Sequence, residues 1–262
     1  MSKSERILLS HITVRGPDLE SIHQVVKDRK SASFDFLANL FAMPEAGGSG
    51  VQVHQLRECL NFLETVGIIK ANKSTKGEEF VLEPNLPDVA FPLILLNRLK
   101  LSAENSFYLV HKHLVSNDVL SVDMGALKRT VESSLELGFT WNEQKLGFWM
   151  NLADYLGLGK KYAYSQIFVC FPSSELLKNL LTVTVSKRKS GERVNLGEFV
   201  NYLSTEFFEC LTREGLLFKG LQQSLLVLQR KGRISLVPAA SDDPNPTFVD
   251  GKRIGFVSLK GG

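Results

Sequence analysis

No stretch of this chain is long and apolar enough to read as a membrane span. Its most aliphatic run, FPLILL at residues 91–96, is far short of the roughly 20 apolar residues that a bilayer-crossing helix needs. Cysteine is scarce. Cys59, Cys170 and Cys210 are odd in number, far apart and set in apolar patterns. That excludes a disulfide scaffold and a clustered zinc site, and predicts reduced core thiols of a cytoplasmic protein. Residues 1–16 carry charges but no apolar core of signal-peptide length, which points to the same compartment. Neither charge dominates: 31 Lys and Arg against 28 Asp and Glu leave a formal net charge of +3. Such a balance permits nucleic-acid binding without arguing for it.

Catalytic signatures are missing as well. There is no GxSxG elbow, no GxxxxGK[ST] loop and no GxGxxG turn, and Gly47, Gly48 and Gly50 have no lysine at the P-loop position. His111 and His113 are two apart, so they fall on different faces of a helix; His11, His23 and His54 are scattered. Glu143 and Asp154 are too far apart for a defined acid pair, and Glu78, Glu79 and Glu83 read as solvated hairpin charges. The expectation is a non-enzymatic protein with no cofactor, no metal, no small-molecule ligand and no membrane association.

What is present is the composition of a folded globular chain, 44% hydrophobic and 23% charged. The clearest local pattern covers residues 56–84. Leu56, Cys59, Leu60, Leu63 and Val66 form one apolar helical stripe. Gly67 stands where a left-handed C-cap is cheapest, and Ile68, Ile69 and then Phe80, Leu82 flank a polar turn. The pattern recurs. Leu146, Met150, Ala153 and Gly157 match Leu56, Leu60, Leu63 and Gly67 at an offset of 90 residues; Leu221, Leu225, Leu228 and Gly232 match them at 165. Apolar return pairs follow at Phe168 and Cys170, and at Ile254 and Phe256.

Around these cassettes the spacing predicts further helices. One starts at Pro17, with Leu19, Ile22, Val25 and Val26 as its stripe, and one runs over 34–43 with Ser33 as cap. Others cover 93–101, 103–116, 126–137, 141–156 (Thr140 and Glu143 forming a capping box), 174–181, 196–211 and 221–229. Residues 7–14 read as a short strand or a helical turn, residues 180–185 as helix or strand, and 234–237 and 253–259 as strands. Pro87 and Pro92 mark a linker. The fold class is therefore mainly α with small β-hairpins (α+β), in two or three units joined by a helical linker. The units are residues 1–86, a helical middle region 87–182, and 183–262.

Helix, glycine stop and hairpin, carried by LNFLETVGIIK at residues 60–70 and its two echoes, resembles the winged-helix superfamily over most of 31–84 and 195–260, and over 120–172 in a degenerate form. The competing explanation is that helix–glycine–strand is common in α/β proteins. The resemblance implies that the helix before each hairpin enters a DNA major groove while the hairpin tip touches backbone, although many members bind proteins instead. The middle helix departs from the pattern: Trp141 and Trp149 suggest burial, which disfavours DNA reading there.

On the first cassette the candidate contacts are Arg57, Asn61, Lys73 and Lys76, with Glu58 and Glu64 opposing phosphate approach. The third is more basic. Its loop carries Lys187, Arg188, Lys189 and Arg193, and its helix and hairpin carry Lys219, Gln222, Gln223, Arg230, Lys231, Arg233, Lys252 and Arg253. The alternative is that these charges only solvate the surface. Phe107, Tyr108, Phe207, Phe208, Leu216, Leu217 and Phe218 exceed what single cassettes need, and would pack between cassettes or against a partner. The expected role is a subunit of a DNA-associated prokaryotic-type complex, in genome maintenance or defence. Its partners would be duplex DNA and an ATPase or nuclease subunit. Tandem winged-helix accessory subunits of SMC-type ATPases are a distant likeness. A stand-alone transcription regulator and a pure protein adaptor are the alternatives.

Overall fold

A computed structural model describes residues 12–41, 43–44, 51–75, 77–101, 105–134, 141–162, 166–188, 193–241 and 246–260; of residues 43–44, 51–52 and 187–188 it describes the backbone alone. The protein is α+β, mostly helical, with small antiparallel sheets. Among the described residues no helix is long and apolar enough to cross a membrane.

One order of elements occurs three times: helix, short strand, helix, helix, hairpin. The first unit has α1 (Gly16–Arg29), β1 (Ser31–Ser33), α2 (Phe34–Phe41), the two-residue strands β2 (Met43–Pro44) and β3 (Val51–Gln52), α3 (His54–Thr65), β4 (Ile69–Ser74) and β5 (Gly77–Leu82). A connecting helix, α4 (Phe91–Leu101), follows. The second unit has α5 (Ser106–Ser116), β6 (Ser121–Asp123), α6 (Met124–Ser134), α7 (Glu143–Tyr155), β7 (Lys160–Tyr162) and β8 (Ile167–Val169). The third has α8 (Ser174–Arg188), β9 (Arg193–Asn195), α9 (Leu196–Glu206), α10 (Lys219–Arg230), β10 (Ile234–Pro238), β11 (Thr247–Val249) and β12 (Lys252–Leu259).

The sheets share a plan. The last strand of each hairpin is central, with the first hairpin strand on one side and the short early strand on the other: β1-β5-β4, β6-β8-β7 and β9-β12-β10. A buried cross-strand pair sits in the middle of each: Ala32 with Phe80, Val122 with Phe168, and Val194 with Val257. The third return strand is longer and takes β11 as an extra partner. Consequently its buried residue is Val257, whereas Phe256, expected inside, is 43% exposed.

The three helices before the hairpins end identically. Gly67, Gly157 and Gly232 have φ of 70°, 76° and 67°. Each glycine N–H donates to the carbonyl three residues back (Glu64, Asp154, Gln229) at 2.9–3.0 Å. The following N–H donates to the carbonyl five back (Leu63, Ala153, Leu228), again at 2.9–3.0 Å. This is the Schellman closure, which satisfies orphan carbonyls at a position that L side chains resist.

Helix α4 is buried nearly all round, through Phe91, Leu93, Ile94, Leu95, Leu96 and Leu99, and packs on α1, α5 and α9. It therefore serves as an internal strut, not a loose linker. His23 of α1 stacks on Phe91, ring centres 4.9 Å apart, and Asn97 donates to the Glu206 carbonyl at 3.1 Å.

Several boundaries differ from the sequence reading. Helix α7 starts at Glu143, capped by Asn142, whose Oδ1 accepts from Lys145 N at 2.9 Å. Trp141 is buried in an extended approach, so the cap falls after it; Thr140 lies outside the described residues. The 182/183 boundary falls inside α8, which is one helix. Its β-branched run leaves helix and strand open by propensity, but Leu176, Leu177, Leu180 and Leu181 are buried. Thr182 and Thr184 donate to the carbonyls four residues back. Helix α9 stops at Glu206, because Phe207 and Phe208 turn inward and both donate to the Leu203 carbonyl. The segment 207–218 then forms a tight loop, with Leu211 bridged to Leu217 and Phe218 N donating to the Cys210 carbonyl at 2.9 Å. Ile12 to Val14 contains no strand, and 7–11, the 47–50 glycines and most of the turn at 241–246 lie outside the described residues.

Candidate nucleic-acid interface

Because the three glycine-terminated helices superpose in sequence at the glycine, equivalent positions on them can be compared. On α10, Leu221, Ser224, Leu225 and Leu228 are buried. The opposite stripe, Lys219, Gln223, Val227 and Arg230, is open, with only Val227 half-buried. The equivalents on α7 include Phe148, Leu152 and Tyr155; on α3 they include Glu58 and Phe62. Those positions are occupied by packing. Phe62 meets Phe148 edge-on, ring centres 6.2 Å apart, and both are buried. Tyr155 donates to Glu20 Oε2 at 2.7 Å, and its ring lies where a β-carbon on Gly16 would be. Two of the three helices thus spend this face on joining the first unit to the second. Trp149 strengthens the burial of α7 by donating its indole N–H to the Phe107 carbonyl at 3.0 Å and meeting Phe168. The third helix keeps Gln223, Val227 and Arg230 of this face uncovered, and only Lys219 at its start is tied to the second unit, through Asp118.

Charge follows the same division. Residues 54–84 hold four Lys and Arg against five Glu, a balance of −1; 143–172 hold three against two, +1; 219–260 hold seven against three, +4. No acidic residue lies on α10.

The individual candidates separate into groups. Arg57 lies over the Phe34 ring at 3.5 Å and is ion-paired to Glu78, so its guanidinium is engaged within the first unit. Lys73 reaches the same Glu78 at 3.7 Å, and Asn61 is exposed on α3. Gln222 is also engaged: its Nε2 donates to the Leu217 carbonyl at 2.6 Å and its Oε1 accepts from Asp250 N at 2.9 Å, tying α10 to the β11–β12 turn. Lys219 pairs with Asp118 at 2.8 Å, and that hydrogen bond raises its pKa. Gln223, Arg230, Lys231 and Arg233 are exposed along and just beyond α10. Arg193, Lys252 and Arg253 are exposed on the sheet, with Arg253 Nη1 donating to the Ser241 carbonyl at 3.4 Å. The side chains of Lys187 and Arg188, and all of Lys189 and Lys76, lie outside the described residues.

Between α10 and the hairpin lies a cleft of about 550 Å³, floored by Leu226, Leu236, Val249 and Ile254 and rimmed by Gln229, Asp250 and Lys252. The sequence reading missed Lys260, which sits beside Arg233: its N–H donates to the Arg233 carbonyl at 2.9 Å. Period-two alternation along β12 would have found it.

The thiols are buried, and burial pushes Cys59 and Cys170 up to about 12 and Cys210 higher still. Among the described residues no group of three or more His, Cys, Asp and Glu side chains comes together as a metal site. What the surface offers is a helix with amide and guanidinium groups, flanked by cations. No family model, curated protein or solved structure matches this chain.

Proposed function

We propose that the chain is a non-catalytic nucleic-acid-binding subunit built of three winged-helix units, in which only the third addresses duplex DNA. The observation that carries this reading is the open stripe on α10. The corresponding faces of α3 and α7 are consumed by packing, while Gln223 and Arg230 stand two helical turns apart on one face with no carboxylate between them. Glutamine and arginine suit adenine and guanine edges in a major groove. Lys231 and Lys252 flank them as phosphate contacts. The first two units then act as a rigid body that orients the third.

Membership of a larger DNA-associated machine, in a cytoplasmic setting and beside an ATPase or nuclease subunit, belongs to the same proposal. The pure-adaptor alternative draws support from the first unit, where the balance of −1 over residues 54–84 and the engaged Arg57 leave little for phosphate. The test is fluorescence anisotropy with a duplex of mixed sequence. Arg230→Glu together with Lys231→Glu should abolish binding at low salt, while Lys70→Glu on the first hairpin leaves it intact. Equal loss from both, or no duplex binding by the wild type, contradicts the assignment.

A further inference from the structure

The sheet of the third unit has a second face that the duplex reading does not use. Leu236, Val257 and Val194 are cross-strand neighbours and all buried, so they mark the covered side. Alternate residues point the other way. The rows on that outer side are Ser235–Ser258–Arg193 and Val237–Phe256–Asn195. At one end Arg233 lies beside Lys260. At the other, past the irregularity at Val237/Pro238, Phe248 pairs with Arg253, opposite in face to their buried neighbours Val249 and Ile254.

Phe256 is 43% and Phe248 50% exposed. Single exposed apolar residues are ordinary. Two phenylalanines on one sheet face, with cations at both ends, the Ser235 and Ser258 hydroxyls in the next row and no carboxylate in any row, are not explained by packing. The other sheets differ. The equivalent rows of the first unit carry Glu79, which accepts from Ser31 Oγ at 2.7 Å, and those of the second carry Asp123.

An apolar protein partner would cover the phenylalanines but leave the cations at both ends of the face and the Ser235 and Ser258 hydroxyls without partners. A duplex hides its base faces from the rings. A single strand presents bases for stacking, phosphates for the cations and base edges for the Ser235 and Ser258 hydroxyls together. We propose that the outer face of the β9–β12–β10 sheet binds single-stranded nucleic acid, with bases stacked on Phe256 and Phe248 and phosphates held at the Arg193, Arg233 and Lys260 end. The two faces of the third unit then address paired and unpaired strands separately, as a protein at a duplex–single-strand junction requires. The inference rests on the sheet and not on α10, so either reading can fail alone.

The test uses the full chain and anisotropy of a labelled oligothymidylate of about twelve nucleotides, an abasic oligonucleotide of the same length, and a duplex. The expected result is at least tenfold tighter binding of the oligothymidylate than of the abasic strand. Phe256→Ala and Phe248→Ala should each weaken the oligothymidylate by roughly five- to a hundredfold and leave the duplex unchanged. Phe256→Tyr should keep the affinity, and Phe256→Leu, which retains apolar bulk without a ring, should lose it. Equal binding of the abasic strand, an unaffected Leu variant, or no single-strand binding at all overturns the proposal.

Discussion

Gly220, in the first turn of α10, lies so close to the backbone carbonyl of Cys170 that a β-carbon there would stand 2.2 Å from the oxygen and 2.4 Å from the Phe218 ring. This close approach seats the third unit on the strand end of the second. Asp118 completes the seat by accepting from Lys219 N at 3.0 Å and pairing with its side chain, and Arg213 N donates to the Ser116 carbonyl. Neither the carbonyl nor the aromatic ring has room to yield. Gly220→Ala should therefore destabilise the chain by about 1–3 kcal/mol, as overpacking does. Urea unfolding followed by circular dichroism measures this; an unchanged midpoint would show that α10 can shift freely.

The three Schellman glycines predict a graded series. At Gly67 and Gly232 a β-carbon meets nothing within 4 Å, so alanine costs only the left-handed backbone, about 1–2 kcal/mol. At Gly157 the β-carbon also meets Ser173 Oγ at 2.6 Å and Leu176 at 3.2 Å. Gly157→Ala should be the most destabilising of the three in the same urea assay, and equal costs would contradict the packing seen there.

His111 sets an acid limit. It is buried against Phe208, and burial holds its imidazole down at about 4; the Glu209 backbone draws it partly back up, and the Lys100 charge lowers it further. The unfolded chain takes up a proton near 6.5 while the folded chain does not. The stability from neutral His111 is thus complete above 6.5 and is lost as pH falls from 6.5 towards 4, by about 3 kcal/mol in all. Burial lowers His23 as well, in the same sense. Unfolding free energies at about pH 7 and about pH 4.5 should differ accordingly, and His111→Gln should flatten the difference. The same slope in that variant would place the acid sensitivity elsewhere.

Arg57 separates a structural from a binding role. Its stacking on Phe34 and its pairing with Glu78 predict that Arg57→Met costs about 1 kcal/mol of stability and leaves duplex affinity unchanged. Weakened duplex binding with intact stability would return this residue to the interface.

Local patterns were readable where one helix turn or one strand decides them. The stripe Leu56–Cys59–Leu60–Leu63, the glycines at offsets of 90 and 165, and the Ser33 cap (Ser33 Oγ accepting from Phe36 N at 3.2 Å) are of this kind. What could not be read depends on partners distant in the chain. Gln222 is a base-reading side chain by type, but Leu217 and Asp250 claim it. Lys219 is a phosphate-binding side chain by charge, but Asp118, 101 residues away, takes it. Phe256 belongs to an apolar pair by alternation, but the added strand β11 and the register shift put it outside. The open stripe on α10 became visible only once Phe62 and Phe148 were seen to close the equivalent faces of the other two helices.

The most direct test of the central claim is the salt dependence of duplex binding, measured for the wild type and for a variant with Arg230, Lys231 and Lys252 changed to alanine. If these residues neutralise phosphates at the α10 face, removing them should make the log–log slope against salt shallower by about 0.9 for each phosphate no longer neutralised, roughly 2–3 in all. An unchanged slope would contradict the account, because the duplex would then be held by some other surface.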